Sequence, residues 1–154
     1  MSKELIAKFD RIHVEYETAR DLLNTKSMEE RKSKTHQNDL SSGRPSLRSD
    51  IILDAINTLN DAYALILIAT AEAFMREYLQ SHLSVSPRNP NLSFLIKQYR
   101  IMFNKTNPTN KITTERYIEF NELREQRNNY AHGIRTKVFL PVGKIVSILG
   151  KFFH

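Results

Sequence analysis

The sequence predicts an all-α protein: a bundle of about five helices, up-and-down in order, with a long polar loop after the first helix. Three observations predict it. Apolar residues recur at spacings of three and four in successive segments of the chain. Four glycines and five prolines are few for 154 residues, and most of them fall between those segments. An apolar share of 40% against 26% charged residues is a globular balance, and the length suits one domain spanning 1–154.

Each element has its own signal. Residues 3–24 place Leu5, Ile6, Phe9, Ile12, Tyr16, Ala19, Leu22 and Leu23 on one helical face. Residues 25–49 are polar and carry Gly43 and Pro45, which predicts a flexible loop. Residues 50–81 form the strongest helix, with Ser49 or Asp50 to cap it. They are apolar on nearly all sides in the middle, which predicts a central helix covered by neighbours. The stretch "SVSPRNPN" breaks the chain, and "LSFLIKQYRIMF" gives a shorter helix. A second break, "NKTNPTNK", precedes a helix opened by Thr113 or Thr114, and Gly133 lies just past its end. After an extended "KVF" and Pro141, Val142, Ile145, Val146, Ile148, Leu149, Phe152 and Phe153 mark a last amphipathic helix.

Composition excludes several chemistries. Without cysteine there are no disulfides, thiolate nucleophiles or cysteine zinc sites, a usage that fits a cytoplasmic location. The N-terminus has no apolar run of signal-peptide type. The longest uncharged apolar stretch, residues 62–71, is shorter than the roughly 20 residues a membrane-spanning helix needs, so no membrane association is expected. His13, His36, His82 and His154 are scattered without metal-ligand spacing, and neither a metal nor a cofactor is expected. Net charge is +6, and its distribution is uneven: residues 81–114 and 126–154 contain no acid. A polyanion is the functional reading; an incidentally basic surface is the alternative.

The stretch "RNNYAHG", residues 127–133, carries the chemistry. Tyr117, Phe120, Leu123, Arg127, Tyr130 and Ile134 fall at helical spacing, so Arg127 lies in an apolar stripe, where a guanidinium is costly unless it is paired or faces a cleft. Arg124 and Arg116 can point to solvent. His132 is roughly 140° from Arg127 at about 100° per residue. Either the arginine reaches around the helix end, or the two residues meet counterparts on a second subunit. His132 also sits in the last turn, where the helix dipole favours a positive side chain. A cation beside a proton-transferring imidazole suits phosphate chemistry. On the central helix Glu72 interrupts an apolar strip much as Arg127 does. It either meets Arg127 or forms a local i, i+4 pair with Arg76. Tyr130 could stack on a base, or serve as core.

Arg, Asn, three further residues, His and Gly on the penultimate helix of a small all-α domain resemble the signature of HEPN domains. The central helix "LILIATAEAFMREYL" is similar to one branch of that superfamily, and the likeness covers most of residues 50–135. The resemblance implies a metal-independent endoribonuclease acting as a homodimer, with a composite site and service in toxin–antitoxin or antiviral defence. Arg127 and His132 would be catalytic, Asn128 and Tyr130 supporting, and Glu72 would orient or neutralise Arg127. RNA would be the substrate, held in part by Lys97, Arg100, Arg135 and Lys137 of the acid-free stretches. An antitoxin or nucleotidyltransferase protein would be a further partner. Inactive members of the superfamily bind nucleotide, nucleic acid or a partner protein, and that is the alternative.

Overall fold

Every regular element among the described residues is an α-helix: α1 (Ser2–Thr35), α2 (Leu47–His82), α3 (Leu92–Thr106), α4 (Thr114–Ala131) and α5 (Val142–Phe153). The computed structural model describes residues 2–35, 47–83, 91–133 and 139–154, the side chains of 2, 30–35 and 47–50 excepted. The protein is thus an all-α bundle of five helices, as its periodicity predicts.

The first boundary differs from the sequence reading. Residues 25–35 continue α1 rather than opening a loop, and α2 already begins at Leu47. Residues 25–35 lack an apolar face, but they also lack Gly and Pro, and seven of the eleven are Lys, Glu, Met or Arg. Intrinsic propensity carries such a segment where amphipathicity gives no signal. The rest of the expected loop, 36–46, lies outside the described residues, as does most of the expected extended "KVF". The later boundaries follow local chemistry. Asn91 Oδ1 accepts from Phe94 N at 2.8 Å and Thr113 Oγ1 from Arg116 N at 3.3 Å, capping α3 and α4.

The core is built around the shortest helix. All of Val142, Ile145, Ile148, Leu149, Phe152 and Phe153 of α5 are buried, and α5 packs on α1, α2 and α4. Phe153 is ringed by Phe9, Phe74, Tyr99, Phe120 and Phe152, with centroids at 5.1 to 6.0 Å. Most of these pairs are steeply inclined, the arrangement that brings a ring edge to a ring face. Asn60 ties three elements together. Its Oδ1 accepts from Val142 N at 3.2 Å and from the Tyr16 hydroxyl at 3.4 Å, and its Nδ2 donates to Leu140 O at 3.4 Å. Pro141 gives α5 no side-chain cap, so Asn60 supplies a partner to one of the orphan donors of that helix.

Expected to be covered on all sides, α2 is not. Ala64, Leu67, Ile68, Ala71, Met75, Tyr78 and Leu79 face the core, whereas Ala62, Ile66, Ala69 and Ala73 form an exposed apolar ridge. The other four helices all pack on α2 yet leave that face bare. By length and composition α2 could cross a membrane. Its inward face is filled by the aromatic and aliphatic core of the bundle.

Burial pushes the Tyr99 phenol well above its ordinary value, and the neighbouring Tyr78 adds to the effect. The native state therefore keeps a proton that the unfolded chain releases above about pH 10. Stability should be insensitive to this group below that point. Above it, stability should fall by up to about 1.4 kcal/mol per pH unit. Alkaline denaturation followed by circular dichroism, with tyrosinate absorbance beside it, should show one tyrosine ionising only as the fold is lost.

Candidate functional site

The end of α4 is set by backbone geometry. His132 N donates to Asn128 O and Gly133 N to Tyr130 O, both at 3.0 Å, and Gly133 has φ +70. Glycine takes that left-handed turn without the Cβ penalty other residues would meet. The chain beyond is held back against α4: Leu140 N donates to Gln126 Oε1 at 3.2 Å, and the Phe139 ring lies 5.3 Å from that of Tyr130. Tyr130 is accordingly half-buried against the core, the structural alternative left open by its spacing.

Arg127 lies on the inward face of α4 but near the end of the helix, past the last fully buried residue, Leu123. There it meets α2. Its Nη2 is 3.9 Å from Glu72 Oε2, and its Nη1 donates to Asn128 Oδ1 at 3.4 Å. Glu72 also accepts from Arg76 Nη2 at 2.6 Å through Oε1. Both sequence alternatives for Glu72 are therefore realised at once. Glu72 is 18% exposed, against 35% for Arg76 and 41% for Arg127, so the carboxylate is the inner member and the two guanidinia face outward. Asn128 thus lies beside Arg127 and accepts from it.

His132 is placed elsewhere. It is exposed, and among the described residues its ring has no hydrogen bond or ion pair with Arg127, Asn128 or Glu72. A single chain thus brings together Glu72, Arg76, Arg127 and Asn128, and leaves His132 outside that cluster.

The basic candidates divide. Lys97 is exposed on α3. Arg100 serves the fold: its Nη2 donates to Thr114 Oγ1 at 3.0 Å, its Nε to Ile112 O at 3.3 Å, and its guanidinium lies 4.8 Å from the Tyr117 ring centroid. With Asn104, which exchanges two hydrogen bonds with the Ile112 backbone at 2.7 and 3.2 Å, it pins the α3–α4 connection. Arg135 and Lys137 lie outside the described residues. Arg124, expected to reach solvent, is half-buried, pairs with Glu125 at 3.4 Å, and has a buried Nε without a partner among the described residues. The role of Arg76 beside the motif arginine was legible only as a local pair, because i, i+4 spacing gives no hint of what else shares the carboxylate.

Chemically, the cluster offers a half-exposed guanidinium with an amide oxygen at 3.4 Å and a shared carboxylate at 3.9 Å. Such a cation suits an oxyanion such as phosphate. No family model, curated protein or solved structure matches the chain.

Proposed function

We propose that the protein is a metal-independent endoribonuclease of HEPN type that works as a homodimer. The observation that carries the reading is the separation just described: a half-exposed arginine at the bundle edge and an imidazole exposed on the same helix end, not joined within one chain. RNA brings its own nucleophile. The 2′-hydroxyl attacks the adjacent phosphorus, the O2′–P bond forms, the P–O5′ bond breaks, and a 2′,3′-cyclic phosphate and a 5′-hydroxyl result. In a dimer one His132 accepts the 2′-hydroxyl proton and the partner subunit's His132 donates a proton to the leaving 5′-oxygen. Arg127 stabilises the charge that gathers on the phosphoryl oxygens.

The α2 ridge supports the second copy. Ala62, Ile66, Ala69 and Ala73 run beside Glu72 and Arg76, so a partner seated on them would bring its own motif toward this one. Sedimentation at micromolar concentration should give about twice the 18.0 kDa chain mass. Ile66→Arg should return the protein to a monomer and remove cleavage together with dimerisation. A fully active monomer would contradict the composite site.

Affinity for single-stranded RNA should fall steeply with salt, by a log–log slope of about 0.7 per phosphate contact. Lys97→Glu should weaken binding without lowering the melting temperature. Arg100→Glu should lower the melting temperature, since Arg100 closes the α3–α4 connection. Affinity unchanged between low and physiological salt would remove the basic surface from the account. A defence role, a cytoplasmic site of action and an antitoxin or nucleotidyltransferase partner belong to the same proposal and rest on the motif resemblance. The separation of His132 from Arg127 also suits a non-cleaving module that binds nucleotide, nucleic acid or a partner protein. Incubation of the purified protein with bulk RNA, beside its His132→Ala variant, decides between the two.

A further inference from the structure

Glu72 stands between two arginines and holds them unequally. Arg76, one turn further along α2, donates from Nη2 to Oε1 at 2.6 Å. Arg127, arriving from α4, brings its Nη2 only to 3.9 Å from Oε2, beyond hydrogen-bond reach. The single negative charge of the carboxylate is therefore engaged mainly by its own helix. A phosphate must take Arg127 in competition with Glu72, and the outcome depends on how firmly that carboxylate is held elsewhere. A guanidinium locked in a bidentate carboxylate pair has fewer donors to offer and a like charge beside the incoming anion.

We propose that Arg76 is a positioning residue of the phosphate site: it engages the Glu72 carboxylate so that Arg127 stays oriented but displaceable by the RNA backbone. The inference rests on the RNA-cleaving reading above. Without Arg76, the largely buried carboxylate keeps Arg127 as its cation among the described residues and closes on it. Arg76 then acts through Glu72 and Arg127 and need not touch the substrate. An ordinary i, i+4 pair would predict something different, since removing one is close to neutral for any function at a distance.

The test compares cleavage of single-stranded RNA by the parent protein and by Arg76→Gln, Arg76→Lys and the double variant Glu72→Gln/Arg76→Gln, with melting temperatures alongside. Arg76→Gln should raise KM by about tenfold, a typical coupling between side chains that share a partner. Arg76→Lys keeps the charge and should stay near the parent. The double variant should recover most of the lost KM, because the carboxylate that captured Arg127 is gone. A purely structural Arg76 would show no such rescue. A KM for Arg76→Gln equal to that of the parent, or a double variant no better than Arg76→Gln, overturns the proposal. If Arg76→Gln melts below the assay temperature, all variants are assayed at a lower temperature where each is folded, and the same comparison decides. A parent protein that leaves RNA intact overturns the cleavage reading and this inference with it, whereas a cleaving parent with variant-insensitive KM overturns the inference alone.

Discussion

Replacing His132 by alanine should leave a folded dimer that has lost RNA cleavage by about 10²–10⁴-fold, the usual contribution of a general acid or base. The fold should tolerate the change. His132 is exposed, its backbone bond to Asn128 O does not need the side chain, and Gly133 still makes the left-handed turn. Arg127→Ala should behave alike, with stability changed by no more than about 1 kcal/mol, because a half-exposed pair at 3.9 Å contributes little. A loss of this size in both variants, at unchanged melting temperature and unchanged dimer mass, separates a catalytic site from an ordinary helix end. Were the motif only a helix terminus, both variants would keep whatever activity the parent has.

Phe153→Ala should do the reverse: stability lost first, activity lost only as a consequence. Its ring is fully buried and touches five other aromatic rings from α1, α2, α3, α4 and α5. Truncating a phenylalanine in such a place removes its transfer free energy and leaves a cavity, at a cost of about 3–5 kcal/mol. For a domain of this size each kcal/mol shifts the melting temperature by about 2–4 °C. Thermal unfolding should therefore move down by about 6–20 °C. A shift of only a degree or two would mean that the core is not organised around α5 as described.

The elements that were legible in the sequence are those where periodicity and capping agree. Thr113 marks a boundary by its capping hydroxyl, Gly133 and Pro141 by their backbone preferences, and the chain obeys them. Residues 25–35 were not legible because their sequence carries no apolar stripe, so the pattern that signals a helix is missing. The bare face of α2 was hidden for the opposite reason. Ala62, Ile66, Ala69 and Ala73 are apolar, and apolarity alone does not distinguish a face covered by the same chain from one left uncovered. Within the site, the displacement of His132 from Arg127 followed from helix angles alone. The meeting of Glu72 with Arg127 was foreseen as one of two options, since both charges interrupt apolar strips. That Glu72 also keeps Arg76, and more tightly, depends on how α2 and α4 sit together, which no spacing within one helix reveals. Arg100 shows the limit of reading charge: a cation in an acid-free stretch turned out to be occupied by Ile112, Thr114 and Tyr117 of its own chain.

The central claim is that Arg127 and His132 of two chains cleave RNA through its own 2′-hydroxyl. The most direct measurement is end-group analysis of a defined single-stranded RNA incubated with the purified protein in excess chelator, beside the His132→Ala protein. The account predicts fragments ending in 2′,3′-cyclic phosphate and beginning with 5′-hydroxyl, formed in chelator and absent with His132→Ala. Cleavage that stops in chelator, or that continues with His132→Ala, would contradict it.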